Sequence, residues 1–297
     1  MSMLEKATTG KVDKPHFVAI YGTPGVGKST FAADAPKPIF IDLEDGTEAM
    51  NVTRIKPANL EEFYNTLSEL RESEHGYESI VIDTLDHLVD KYIVPSVEKK
   101  AGKEISKMKW GSGFTAIKAE LALMVSRLED LRINKRMNVI LVAHAKIKAT
   151  NNPSLTEDYD KFQLRMNEGA AALITQEVDT LLFANYEIFT HETEIGKVKG
   201  IGDGRRVIHT ICMPSYDAKN RFNLPGTLPL SWSAFVEACE SSSDRDINAV
   251  QANITDLVNC LKDEKTKGVV ETSIKDAKDN MGQLLKIENR LKEITKN

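Results

Sequence analysis

The run Gly22-Thr23-Pro24-Gly25-Val26-Gly27-Lys28-Ser29 sets three glycines, a lysine and a hydroxyl at the spacing GxxxxGK[ST]. Such glycines let successive backbone N–H groups turn inward around a phosphate. The helix that follows adds the positive end of its dipole, and Lys28 reaches the β and γ oxygens. Ser29 offers a hydroxyl to Mg2+. With Thr30, these residues form a candidate seat for ATP and Mg2+. Asp83 closes the apolar run Ile80-Val81-Ile82, where a carboxylate would hold Mg2+ through a water. A further acid must orient the attacking water, and Asp42, Glu44 and Asp45 all lie where a second apolar run ends. His144 follows Val139-Ile140-Leu141-Val142-Ala143 and could touch a γ-phosphate. Lys219-Asn220-Arg221-Phe222 sets two cations just before Leu224-Pro225-Gly226. Each feature also has a plainer use: Asp83 or Thr84 as a helix N-cap, the acids near 44 as a solvated loop, His144 as a strand-end side chain, and 219–222 as a basic turn.

Positioning these groups requires strands that end at them. His16–Tyr21, Ile39–Leu43, Ser79–Asp83 and Asn138–Ala143 are short, continuous apolar runs, and each reads as a buried strand. Helices are expected from Lys28 to about Ala35, where Pro36 and Pro38 stop it, and over 59–73, 85–95 and 112–132. In the last of these, Phe114, Ile117, Leu121, Met124, Leu128 and Leu131 form one stripe. Strands alternating with helices give an α/β fold with a doubly wound, mostly parallel sheet. Stretches 180–191 and 205–213 flank four glycines and predict an antiparallel hairpin at the sheet edge. The expected organisation is a flexible lead-in over 1–15, an ATPase core over 16–239, a linker at Glu240–Asp244, and a C-terminal helical extension over 246–297.

The chain has 297 residues, 41% hydrophobic and 28% charged, with a net charge of -5. That is enough apolar material for a packed core and argues against global disorder. The mild acidity argues against a protein that coats duplex DNA by bulk charge, though not against a local basic groove. No apolar run approaches the ~18 residues that span a bilayer. Without such a run no membrane partner is expected, and without an apolar leader after Met1 no secretion is expected. Cys212, Cys239 and Cys260 are odd in number and lack CxxC spacing. A disulfide framework or zinc site is not expected, and a reducing cytoplasm is. His16, His75, His87, His191 and His209 show no ligand spacing.

Taken in order, Gly22–Ser29, Asp42 and Glu44, Asp83, His144 and Lys219–Phe222 resemble a RecA-like P-loop ATPase over roughly residues 16–235. Ile41-Asp42-Leu43-Glu44 is similar to the I-D-x-E segment of RecA-like recombinases, whose glutamate is the catalytic base, and that resemblance selects Glu44. Histidine at the His144 position is found in several relatives of that superfamily. Lys219-Asn220-Arg221-Phe222 resembles the K-N-R-F motif of RadA and the K-x-R fingers of DnaB-type rings. There the cations reach into a neighbouring subunit's ATP site, which implies a homo-oligomer, ring or filament. The overall pattern resembles a phage-encoded nucleotide-binding family that includes single-strand annealing proteins of the Sak type. This implies ATP-driven single-stranded DNA binding and annealing in phage recombination, alongside a single-strand binding protein, in the bacterial host cytoplasm. The rival readings are a DnaB-like hexameric translocase or helicase, and a nucleotide-gated scaffold with little turnover. Single-strand binding wants cations beside aromatic faces. Two segments offer them: 97–113, with Lys99, Lys100, Lys103, Lys107, Lys109 and Trp110, and 145–168, with Lys146, Lys148, Lys161, Arg165, Tyr159 and Phe162. Four acids cancel the charge of the second, so the first is the better electrostatic candidate.

Overall fold

The computed structural model describes residues 12–150, 158–187, 189–192, 198–201, 204–243, 247–259, 261, 264–277, 283–284, 287–288 and 290–291. The first strand shows why the sheet is covered on both sides. β1 (Phe17–Gly22) is buried at all six positions. Phe17, Ala19 and Tyr21 join one apolar cluster, while Val18 and Ile20 join another. A strand wet on neither face needs a continuous apolar run, and this one has it.

From β1 the chain passes through α1 (Lys28–Ala33), β2 (Pro38–Asp42), a short β3 (Thr53–Ile55), α2 (Leu60–Glu72) and β4 (Ser79–Asp83). It then stays helical through α3 (Leu85–His87), a π-helical turn (Leu88–Ile93) and α4 (Val94–Ala101). Next come α5 (Ser112–Asn134), β5 (Asn138–Thr150), β6 (Tyr159–Leu164), α6 (Glu168–Glu177) and β7 (Thr180–Tyr186). The hairpin β8 (Phe189–Glu192) and β9 (Val198–Ile201) precedes β10 (Arg206–His209), β11 (Lys219–Asn220) and β12 (Thr227–Pro229). The helices α7 (Trp232–Ser243), α8 (Ile247–Asn259) and α9 (Glu264–Ala277) follow.

The main sheet runs β12-β10-β7-β1-β5-β4-β2-β3. The six strands from β7 to β3 are parallel, and β10, β11 and β12 close one edge antiparallel. α1 and α7 cover one face through Phe31, Ala32, Trp232, Phe235 and Cys239. α2, α5 and α6 cover the other through Phe63, Leu67, Leu121, Leu128, Ala170 and Ile174. The doubly wound α/β sheet expected from the alternation of runs is therefore what the chain forms. The expected edge pairing is present too, with β7 against β10.

Several expectations need correction. β5 does not stop at Ala143; it continues outward to Thr150 and pairs antiparallel with β6. Within 145–168, the described residues are thus mostly strand, and α6 begins at Glu168. Phe114 leaves the stripe of α5 and is 54% exposed. The stretch Glu240–Ser243, read as linker, continues α7. The described end of the lead-in is tied down: Arg132 Nε donates to the Pro15 carbonyl at 2.5 Å, and Arg136 pairs with Asp13 at 2.6 Å. Beyond residue 246, Val250, Ile254, Val258, Leu261, Ala277, Leu284 and Leu291 form a small cluster of their own.

Candidate functional site

Parallel strands in register deliver their last residues to one edge. Gly22 at the end of β1 pairs with His144 of β5, and Asp42 at the end of β2 pairs with Asp83 at the end of β4. Asp83 in turn pairs with Val142 of β5. Motif residues more than a hundred positions apart thus meet at the carboxyl end of the sheet, where open α/β sheets bind ligands.

The phosphate loop leaves β1 at that edge. Gly22 must be glycine because a Cβ there would lie 2.2 Å from the Ala184 carbonyl oxygen on β7. Gly27 adopts φ 106°, a left-handed conformation that glycine takes without strain, and α1 begins with no side-chain cap. Lys28 is buried, and its Nζ donates to the carbonyls of Gly22 at 3.2 Å and Thr23 at 3.0 Å. Burial lowers its pKa, while the charges of Asp83, Asp86 and Glu44 oppose that shift. In this pose the ammonium braces the loop from within.

Asp83 is 1% exposed, with the Ser29 hydroxyl near enough to oppose the rise in pKa that burial causes. Its Oδ2 is buried with no partner, as is Oδ1 of Asp42 beside it. Burial pushes Asp83 up to about 6, against the pull of the Ser29 hydroxyl and with the negative charges of Glu44 and Asp42 adding to the rise. A hydroxyl and a carboxylate side by side, with one carboxylate oxygen unspent, suit a hard, oxygen-seeking cation. The residues present therefore fit Mg2+.

Glu44 stands across from His144. Its Oε2 accepts from the Thr84 hydroxyl at 3.1 Å, and its Oε1 lies 3.9 Å from His144 Nε2. His144 is oriented from behind. Asp86, 2% exposed, accepts from the His144 backbone N–H at 2.9 Å and from its ring Nδ1 at 3.0 Å. That Asp86 hydrogen bond, joined by the charges of Asp86 and Glu44, raises the His144 pKa against the opposing effects of burial and Lys28. Burial would raise the Asp86 carboxyl, but the His144 contacts and Arg165 prevail and hold it below the ordinary range. With Nδ1 committed to Asp86, Nε2 is the nitrogen left facing Glu44.

Several of these partners were not singled out from the sequence. Asp86 and Thr84 looked like the start of a helix, and His87 had no assigned role, yet His87 Nδ1 is 3.8 Å from Glu44. The segment Asp83-Thr84-Leu85-Asp86-His87 does carry a signal: the first turn of a helix opening at the sheet edge turns position 86 back toward β5.

Lys219 and Arg221 are not brought to this site. β11 pairs with the first residues of β7, at the opposite end of the sheet. Lys219 Nζ donates to the carbonyls of Thr175, Gln176 and Val178 where α6 ends, and Arg221 pairs with Asp179 at 3.1 Å. Of the two basic segments, 145–168 has its cations engaged: Lys146 with the Met166 carbonyl, Lys148 with Glu168, Lys161 with Asp217, and Arg165 near Asp86 and Asp90. In 97–113, Lys100 pairs with Glu120 and Lys107 with Glu104. Among the described residues, Lys99, Lys103 and Lys109 have no acidic partner within 4 Å, and Trp110, next after Lys109, is 99% exposed.

A family model described as an AAA domain matches residues 14–222, which take in every site residue named above. No curated protein matches the chain. Among solved structures, the chain is similar to a crystal structure of the RadB recombinase at 12% identity and a TM-score of 0.40, over 74% of this chain and 90% of that one.

Proposed function

The chain belongs to the AAA domain family, and from that premise we propose that it binds and hydrolyses Mg·ATP as a RecA-like ATPase. In this reading it couples the nucleotide to single-stranded DNA binding and annealing in phage DNA recombination, beside a single-strand binding protein. The observation that carries the reading is convergence: Lys28 and Ser29 follow β1, Glu44 follows β2, Asp83 ends β4 and His144 lies within β5, and all meet at one edge.

The backbone from Gly22 to Thr30 cradles the phosphates, and Lys28 leaves its carbonyl partners for the β and γ oxygens. Mg2+ would be held by the Ser29 hydroxyl and, through water, by Asp83, and when bound it neutralises charge on the phosphates. Glu44 accepts a hydrogen bond from the attacking water and orients it in line. His144, steered by Asp86, offers its Nε2–H to the γ-phosphate. β5 runs from His144 into the strand pair with β6, so a change at the γ-phosphate has a path to 145–150 and, across the pair, to 159–164. Single strands are assigned first to 97–113, where three lysines with no acidic partner among the described residues precede an exposed tryptophan.

Glu44→Gln tests the chemistry. Phosphate release should fall by roughly 10²-fold or more while ATP affinity is kept; an unchanged rate would remove Glu44 as the water-orienting base. Trp110→Ala tests the DNA assignment. An oligothymidylate should quench the fluorescence of the wild type, and the variant should bind it more weakly. Equal affinity for both would move the DNA track elsewhere.

A further inference from the structure

Facing the phosphate loop from the side away from Glu44 and Asp83 is a cation that no motif includes. Arg206 opens β10 and is the register partner of Tyr186, the last residue of β7. Its Nη1 lies 2.8 Å from where a Cβ on Gly27 would stand, so the guanidinium rests on the bare Cα of the loop's last glycine. Leu230 closes in on the same point, with Cδ2 at 3.3 Å, and its N–H donates to the Arg206 carbonyl at 3.1 Å, which fixes the backbone. Tyr186 Oη donates to the Gly25 carbonyl at 3.4 Å. The neighbouring Arg205 is near Glu187, at 3.7 Å, but among the described residues no acid lies within 4 Å of the Arg206 side chain. A planar guanidinium held against a phosphate loop, exposed and without a counter-ion, is built for an anion with paired oxygens.

We propose that Arg206 is a phosphate ligand supplied in cis by the antiparallel edge, contacting the nucleotide at its α and β phosphates. The assignment rests on the nucleotide reading above and adds a direction to it. Sheet order runs β10-β7-β1-β5-β4-β2. The groups assigned to the γ-phosphate come from β5, β4 and β2, on one side of β1. Arg206 stands on the other side, over the end of the triphosphate that remains in ADP. Glycine at position 27 then serves twice: it takes the left-handed turn, and it leaves room for the guanidinium.

The test is titration of the full-length protein with a fluorescent ADP analogue, with ATP turnover measured in parallel. Arg206→Ala and Arg206→Gln should weaken ADP roughly tenfold or more and raise KM for ATP by a similar factor, with kcat little changed. Arg206→Lys should recover part of the loss, and melting temperatures without nucleotide should match the wild type. A purely structural role for Arg206 would instead lower the melting temperature in all three variants. If the wild type binds ADP and both neutral variants bind it equally well, the assignment is overturned and the nucleotide reading stands. If the wild type binds neither nucleotide, both fall together.

Discussion

Asp83 is a carboxylate whose burial works against the fold. Its pKa in the folded chain, about 6, lies above the ordinary 3.8, so between those values the folded state holds a proton that the unfolded chain has released. The sign follows: the penalty is absent below about pH 4 and grows as pH rises to about 6, where it is complete. Asp83→Asn should therefore raise stability at pH 7 by the order of 2 kcal/mol and do little at pH 4. Denaturant melts at the two pH values check this, with Mg2+-dependent turnover expected to vanish in the variant. His144 has the opposite sign. Its raised pKa adds stability that is fully present below the unfolded value and is lost as pH rises through the folded one. Asp86→Asn should move the His144 titration to lower pH, which its ring-proton NMR signal would report. Legibility at this scale followed locality. Gly22–Ser29 and Asp83 could be read because their spacing lies within one strand and one turn. Asp86 and Arg206 could not, because what defines them is a contact across strands 58 and 179 positions away.

At the scale of elements, β1 decides the site. Its apolar run was plain in the sequence, and so was the loop that leaves it. The closeness of β7 was not, although it explains Gly22: the glycine opens the loop and also passes a carbonyl of the neighbouring strand. Gly22→Ala should cost about 1–3 kcal/mol through overpacking alone, seen as a lower melting temperature even without nucleotide. β5 was read short because its apolar residues end at Ala143, while Ala145–Thr150 carries alternating charge. The extension is held by pairing with β6, whose sequence Tyr159–Leu164 has no apolar run. Periodicity detects burial, and a strand pair reaching into solvent has little of it. Phe114 fails in the other direction, since it fits the stripe of α5 and still faces solvent. The serines of 241–243 read as linker by composition, yet α7 runs through them, carried by Trp232, Phe235 and Cys239 packed against α1.

For the whole molecule, the sheet has two working ends. The carboxyl end gathers the candidate nucleotide site, and the amino end carries Lys219 and Arg221 on Asp179 and the last turn of α6. No protomer can bring both ends to one nucleotide, so a role in hydrolysis for Lys219 and Arg221 requires a neighbour and an exchange of partners at the contact. In that case the turnover rate per protomer should rise with protein concentration. The rate of Arg221→Ala should stay low at every concentration, and mixing it with Lys28→Ala should restore activity at shared sites. A flat rate with no rescue would leave the pair as an internal clamp on α6. Among the described residues no helix is long and apolar enough to cross a membrane, and the apolar residues of the C-terminal helices pack with one another. All of these expectations rest on nucleotide binding at the loop that closes on Lys28. Calorimetric titration of the full-length chain with ATP and Mg2+ measures it directly. The account predicts saturable binding near one ATP per chain that Lys28→Ala abolishes without unfolding the protein; no binding by the wild type, or the same binding by the variant, would contradict it.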